Sequence, residues 1–427
     1  MATRSHWVGR KAGMIREIYA LSALLLGMSA LMIGNGLFGT LTALRMSMEA
    51  FDPTVIGVVV SCHMIGFVLG CLYGQRVISR VGAIRCLTAF AALMSICALL
   101  LPLHVSPYTW VPIRLGFGFS SAMVFMVAES WLVGSASPMN KGRVFSVYMV
   151  INKGCFAFGQ LLLQLADPAG DRLFMLLGIL FAACLLPIAL ARHEAPNNFG
   201  DDRMSIRDLY RASPVGVFGA IATGLANSAI VGLSPVFALG VGLDVAQVSV
   251  FMIFFMFGSL ALQIPIGRLS DLFDRRLVLA TVASAAGVAS IAIAVIGSDA
   301  GIWVLYALAF VIGGLSAVTY PIAMAHASDH SAPEQMVAIM AGLLLAFGVG
   351  ASVSPFLASL AMKYLGLGGL YYYTVVVYAA MAAFTLYRMS RRPPVPEEVQ
   401  SAFVAQPQTS QSSPIVTALD PRVADND

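Results

Sequence analysis

The chain has 427 residues, of which 59% are hydrophobic and 11% charged, with a mean hydropathy of +0.85 and a formal net charge of +4. Soluble domains carry about 25% charged residues, so this composition excludes a soluble globular protein. The apolar runs are continuous rather than alternating, which excludes a membrane β-barrel.

A spanning helix needs about 20 mainly apolar residues. Twelve such spans are expected, over 17–43, 54–76, 84–103, 107–133, 143–165, 172–191, 214–238, 246–267, 277–297, 301–326, 335–362 and 367–388. The first run is too long for a cleavable signal peptide and lacks a small-residue cleavage site, so it is expected to stay as the first span. The expected division is an N-terminal six-helix bundle (1–191), a cytoplasmic linker (192–213), a C-terminal six-helix bundle (214–389) and a disordered cytoplasmic tail (390–427). The tail is rich in Pro, Gln and Ser and has too little apolar surface to build a core. A protein contact through it is one expectation, and a plain solvated tail is the other.

Charge placement gives an orientation. With the N-terminus inside, twenty of the 25 Lys and Arg residues fall on the inner side, three fall outside (Arg45, Arg172, Lys363), and Arg114 and Lys153 fall within spans. Both termini are therefore expected to be cytoplasmic; the net charge of +4 need not mean nucleic-acid binding, and no nucleic-acid partner is expected. Trp110 and Trp131 lie 21 residues apart, about 31 Å along a helix, and with Trp303 read as interfacial anchors. The six cysteines all fall in apolar runs without a Cys-x-x-Cys pair, and read as small buried residues.

Polarity is unevenly spread. Spans three, six, nine and twelve are nearly uniform hydrocarbon, as lipid-facing helices must be. Polar residues gather in the other spans: Asn35, His63, Arg114, Glu129, Asn152, Lys153, Gln160, Gln164, Asn227, Ser228, Gln263, Thr319, Tyr320 and His326. Each half therefore has two peripheral and four central helices.

Two basic segments echo each other 192 residues apart, Gln75–Arg85 and Gly267–Arg276. Such a repeat marks two similar halves, the common build of secondary transporters. Together with the six-plus-six spans it resembles the major facilitator superfamily over about residues 15–390. In that family the loop between helices two and three usually carries Gly-x-x-x-Asp-Arg-x-Gly followed by basic residues. This chain has Arg80, Gly82 and Arg85, with Gln75 and Ser79 replacing the first glycine and the aspartate. The second copy keeps Gly267, Asp271, Arg275 and Arg276, with Leu272 and Asp274 at the arginine and second glycine positions. A closer likeness is to the bacterial YcaD-type facilitators. It is carried by Val127–Ser130, Gly142-Arg143 with Tyr148-Met149, Gly159–Leu162, Pro265–Asp271 and Thr319–Ala325. The resemblance implies an all-α, twelve-helix transporter in a bacterial inner membrane or one derived from it. It would move a small solute by alternating access, coupled to an ion or proton gradient.

The resemblance also implies that the loop charges act as a gate. Glu129, near the inner end of span four, would pair with Arg80, Arg85 and Arg143 when that side closes, with Asp271, Arg275 and Arg276 as the second copy. A static ion pair is the alternative. Deeper in, Arg114 lies seven residues into span four and Lys153 about ten into span five, roughly 15 Å deep. No acidic residue shares their depth. Unpaired cations there are costly unless water, an anion or a carbonyl faces them, so the pair reads as a cavity that attracts negative charge. Otherwise Arg114 snorkels and Lys153 reaches a carbonyl or a water; the family's fourth helix also carries an arginine at the place of Arg114. His63 at mid-depth reads as a proton carrier, a metal ligand or a packing residue. His326, Asp329 and His330 read as a metal or proton group or as a solvated helix end. The expected cavity residues are Asn35, His63, Arg114, Lys153, Gln160, Asn227, Gln263 and Tyr320, for a small anion or anionic metabolite.

Gly66, Gly70 and Gly74 on span two, and Gly348 with Ser352 on span eleven, read as a sliding contact between the halves. Pro265, Pro321 and Pro355 are expected to bend their helices. No Walker glycine loop, Gly-x-Ser-x-Gly, His-Glu-x-x-His or haem Cys-x-x-Cys-His occurs, so neither an enzyme nor a cofactor is expected. Three other readings stand: a metal ion or metal chelate as substrate, export of hydrophobic compounds, and a non-transporting sensor or assembly factor. The Gly-Pro pair of antiporters is absent from span five, which has Gly154 and Gly159 only. That weakens the export reading.

Overall fold

The structure is a computed structural model describing residues 21–135, 141–189, 209–211, 213–297, 301–329, 335–391, 400, 403–404 and 413. Among these residues it is helical without strands. We number the main helices α1 Ser22–Met48, α2 Pro53–Val81, α3 Ala83–Leu100, α4 Pro107–Ser135, α5 Lys141–Leu161 and α6 Arg172–Ala183, then α7 Pro214–Gly240, α8 Val245–Leu272, α9 Arg275–Ile296, α10 Ile302–Ser328, α11 Met336–Leu365 and α12 Gly369–Met389. A 3-10 turn, Leu162–Leu165, extends α5, and a short helical piece, Leu185–Ala189, follows α6. Eleven helices are long and apolar enough to cross a membrane, and the shorter apolar stretch Arg172–Pro187 takes the sixth place. All twelve expected spans are thus present as helices. The expected linker lies outside the described residues except for 209–211 and 213.

Local chemistry sets the helix starts. Asp52 caps α2 with Pro53 at its first position, and Ser213 caps α7 with Pro214 likewise. Asp244 and Gln247 close a capping box on α8. The basic segments, expected as loops, are mostly helical: α2 runs on through Arg76 and Arg80, and α8 through Arg268. Gly82 stops α2 with φ 95°, a conformation that favours glycine. We call this the basic end of the molecule.

The packing repeats with a shift of six helices. α1 packs on α5 as α7 does on α11, α2 on α4 as α8 on α10, and α3 on α6 as α9 on α12. Reciprocal glycines make these contacts close. A Cβ at Gly66 would overlap the Leu115 carbonyl, and one at Gly118 the His63 carbonyl; Gly258 and Gly313 stand in the same relation to Phe310 and Phe255. Gly66 and Gly258 are again 192 residues apart. The α1–α5 pair (Gly36, Gly159) and the α7–α11 pair (Gly224, Gly350) follow the same rule. Small residues let helix backbones approach where no water drives them together.

Two sequence expectations are corrected here. The ladder Gly66, Gly70 and Gly74 faces α4, not α11: Gly70 meets Phe119 and Ala122, and Gly74 meets Met123 and Met126. A one-sided ladder names a close partner but not which one, and Gly118 and Ala122 supply the matching small surface. Gly57 instead meets Pro355 and Ser359 of α11, and Gly348 meets Val68. Trp110 and Trp131 are buried, 0% and 4% exposed, rather than anchored in the interface. Trp110 donates to the Leu101 carbonyl at 3.0 Å, so its polar edge is satisfied within the protein. Trp303, at 74% exposed, fits the anchor reading. The peripheral helices present apolar side chains outward, including Ile96, Ile179, Val288 and Val376.

Candidate functional site

The halves meet through α2 on α11, α1 on α7 and α5 on α8. Away from the basic end, Asp52 and Lys363 form an ion pair at 3.0 Å across them. The Asp52 carboxyl is held down at about 2, first by the Thr54 hydroxyl and backbone N–H, then by Lys363. The Ser61 hydroxyl accepts from the Phe356 N–H, and Ser249 donates to the Gln160 carbonyl.

Beneath these contacts lies a cavity of about 90 Å³, walled by residues of α1, α2, α4, α5, α7 and α11. Asn35, His63, Arg114 and Asn227 all line it, as the sequence expects. Phe38, Phe156, Phe347, Val60, Val231 and Met64 supply apolar walls. Arg114 is 3% exposed, and its Nε and Nη1 have no hydrogen-bond partner. Its guanidinium carbon stands 4.8 Å from the centroid of the Phe38 ring, which stacks at 3.9 Å on Phe117. His63 Nδ1 is also buried without a partner, and its ring lies 5.7 Å from Phe117. Asn35 donates to the Leu31 carbonyl at 3.1 Å, which leaves its side-chain oxygen available.

The other expected cavity residues sit elsewhere. Lys153 does not line the cavity; its Nζ donates to the Gln263 side-chain oxygen, tying α5 to α8. Lys153 and Arg114 therefore do not converge, because the amide of Gln263 holds the lysine in the seam between halves. Gln160 donates to the Gly36 carbonyl at 2.8 Å and accepts from Thr40 at 2.8 Å, so its amide joins α5 to α1. Tyr320 packs edge-on to Phe347, centroids 5.6 Å apart, one layer behind the wall.

At the basic end stand the charges expected to form the latch. Arg80 and Arg85 are exposed, and the side chain of Arg143 lies outside the described residues. Glu129 is fully buried, and its contacts include bonds accepted from Tyr148 at 2.6 Å and from the Ser413 backbone N–H at 2.7 Å. The second copy is ion-paired: Arg275 with Asp329 at 2.9 Å and Asp271 at 3.4 Å, and Arg276 with Asp274 at 2.8 Å. Burial raises the Asp274 carboxyl, and the bonds from Arg276 outweigh it, leaving it below the ordinary value. Asp329 is thus engaged by Arg275; His330 lies outside the described residues. Among the described residues no group of three or more metal-type ligands forms.

Sequence reasoning missed four participants. Phe38 looks like any core aromatic until Arg114 is seen above it. Tyr148 carries no signal of its reach to Glu129. Phe403 and Ser413 lie in a segment whose composition predicts no structure.

The sequence profile of the Major Facilitator Superfamily matches residues 24–244 and 216–419. The chain belongs to this superfamily. An uncharacterized MFS-type transporter, YcaD of Escherichia coli O17:K52:H18, is 28% identical over 345 residues, 80% of this chain and 88% of that protein. An uncharacterized MFS-type transporter of Yersinia pestis is 25% identical over 344 residues, with the same two coverages of 80% and 88%. The fold is similar to the crystal structure of the nucleoside transporter NupG, with a TM-score of 0.69, 13% identity, and 86% of this chain and 98% of that chain covered. The protein is therefore a multi-pass membrane transporter of the superfamily with six-plus-six helices.

Proposed function

We propose that this superfamily member is a secondary transporter whose substrate is a small anion or anionic metabolite held at Arg114. The halves rock about the central cavity, the basic end is cytoplasmic, and an ion or proton gradient supplies the drive. The membrane is the bacterial inner membrane or one derived from it.

The observation that carries the substrate class is the Arg114 guanidinium, buried in the cavity wall without a hydrogen bond or an ion pair among the described residues. A buried charge is stable only when paired and hydrogen-bonded, and an ionisable group inside a membrane protein marks a substrate path by default. A carboxylate or similar anion in the cavity supplies the missing acceptors. His63 Nδ1 and the amides of Asn35 and Asn227 then orient it, while Phe156 and Phe347 favour a substrate with an apolar body. One unpaired cation and a small volume point to one negative charge.

The test is a thermal-shift screen of the purified protein in detergent, run beside Arg114→Gln and Lys153→Ala. Monocarboxylates, phosphate, metal chelates and lipophilic cations are the probes. A ligand at 100 times its Kd stabilises the folded form by about 2.7 kcal/mol. The expected result is a monocarboxylate shift that vanishes in Arg114→Gln and survives in Lys153→Ala. Shifts only from lipophilic cations or metal chelates, or a carboxylate shift unchanged in Arg114→Gln, overturn the reading.

A further inference from the structure

A second, smaller void of about 10 Å³ lies between α2 and α11. Met64 and Phe347 line both this void and the cavity, so these two side chains are the partition between them. On α2 the cavity is walled by Val60, His63 and Met64, and the void by Met64, Phe67, Val68 and Cys71. Residues three and four apart on a helix are neighbours, so these positions form one continuous stripe. From His63 to Cys71 the stripe covers about 12 Å along the helix, heading toward Arg76 and Arg80. Polarity changes along it. The cavity holds Asn35, His63, Arg114 and Asn227, whereas the void is lined, among the described residues, by apolar side chains and Gly348.

The partition has one stiff leaf and one soft leaf. Phe347 is buried and backed edge-on by Tyr320, with ring centroids 5.6 Å apart. Met64 is unbranched, with three rotatable bonds, and such a side chain repacks readily around a guest. It also crosses between the halves. Among the described residues, Met64 is the one member from the first half in a core cluster otherwise built from Leu209 onward, with Leu344 and Phe347 in it.

We propose that the void is the apolar end of the substrate site. The substrate is then an amphipathic monocarboxylate, with its carboxylate at Arg114 and its alkyl or aryl tail passing Met64 toward Cys71. The inference rests on the anion reading of Arg114 and deepens it. A space so small and apolar gives water no hydrogen-bond partner, so nothing polar competes with a tail for it. A tail that enters gains about fourfold in affinity for each methylene buried. The carboxylate cannot follow it, because the void offers no amide or hydroxyl side chain among the described residues. Charge is thus fixed at one end of the site and length is read at the other. Leu344, one turn before Phe347 on α11, stands in the wall of the void and limits that length.

The test is a titration of straight-chain carboxylates, from acetate to decanoate, into the full chain in nanodiscs, with empty nanodiscs as the blank. It is run for the wild type, Arg114→Gln, Leu344→Phe and Leu344→Ala. The expected affinity rises about fourfold per methylene and then levels off. Leu344→Phe makes it level off at a shorter chain and Leu344→Ala at a longer one, while acetate binds equally to both and to the wild type. A general loosening of the fold would weaken acetate as well. If Leu344→Phe does not fold, the Leu344→Ala arm decides alone. Three results overturn the apolar end and leave the anion reading standing: Arg114-dependent binding that does not grow with chain length, a levelling-off point unmoved by either substitution at Leu344, or acetate weakened as much as the long chains. Binding of no carboxylate, or binding that persists in Arg114→Gln, overturns the anion reading and this proposal with it.

Discussion

Arg114 stands above the ring of Phe38, 4.8 Å from its centroid, with two nitrogens buried and unbonded. A guanidinium lying over an aromatic face is attracted by it, but that contact satisfies none of its donors. The arrangement holds the cation in the cavity wall with those two nitrogens unbonded, and the bonds they lack are what the proposed anion would supply.

A site poised in this way costs stability. Arg114→Met removes an unpaired buried charge and fills the space with a flexible apolar chain. The variant is expected to unfold at a higher temperature than the wild type in the absence of ligand, by the equivalent of about 1–3 kcal/mol, and to bind no anion. Differential scanning fluorimetry on both proteins, with and without the best carboxylate, reads the two effects. An Arg114→Met protein less stable than the wild type would show that the guanidinium is a structural tie.

Phe38 positions the cation, so Phe38→Leu should weaken anion binding without abolishing it. Loss of a cation–π contact of about 0.5–2 kcal/mol lowers affinity about two- to thirtyfold. Titration of the carboxylate into the variant in nanodiscs checks this. Arg114→Lys is expected to bind more weakly still, since an ammonium cannot present a planar fork to a carboxylate.

The paired glycines predict equal costs in the two halves. Gly66→Ala pushes a methyl into the Leu115 carbonyl, and Gly258→Ala does the same at Phe310. Overpacking of this kind costs about 1–3 kcal/mol, and the two substitutions should agree within about 1 kcal/mol by that scale. Gly39→Ala, where the added methyl meets nothing within 4 Å, is the control. Denaturant unfolding in mixed micelles gives the comparison, and a Gly66→Ala cost no larger than that of the control would remove the close approach from the account.

The Asp52–Lys363 pair should hold across the usual pH range. The Asp52 carboxyl in the folded protein is lowered to about 2 from an ordinary 3.8. A lowered acid contributes stability that is present above its unfolded value and lost as pH falls through its folded value. A disulfide trap or label pair across the ends of α2 and α11 that carry Asp52 and Lys363 should therefore report one distance from about pH 8 to pH 4, where the carboxylate stays ionised. A change within that window would mean that another group governs this end.

Much of this was legible in the chain, for physical reasons that differ from part to part. The helices declare themselves because a lipid-spanning segment must satisfy its own backbone and be apolar over a fixed length. Even so, α1 runs to Met48, past the expected end at 43, and α2 and α8 run on through the basic segments. A charged stretch reads as loop, yet beyond the apolar layer a helix meets water and can carry arginine. At the site, Asn35, His63, Arg114 and Asn227 could be named because polar groups are rare in such helices. Their meeting in one cavity follows from depth and helix order. Lys153 and Gln160 satisfied the same rule and were claimed by Gln263, Gly36 and Thr40, since depth does not say which way a side chain turns. The glycine ladder of α2 failed similarly, having two possible neighbours. The seats of Phe403 at Asp271 and of Ser413 at Glu129 had no local signal, because each depends on a partner more than 100 residues away in sequence.

The most direct test of the central claim is uptake into proteoliposomes of the carboxylate that gives the largest thermal shift, measured side by side for the wild type, Arg114→Gln and Lys153→Ala at matched insertion. The account predicts saturable uptake by the wild type, driven by an imposed ion or proton gradient. It predicts loss to the level of empty liposomes in Arg114→Gln and measurable uptake in Lys153→Ala. Saturable uptake by Arg114→Gln at the wild-type rate would contradict it and remove the cavity arginine from the transport path.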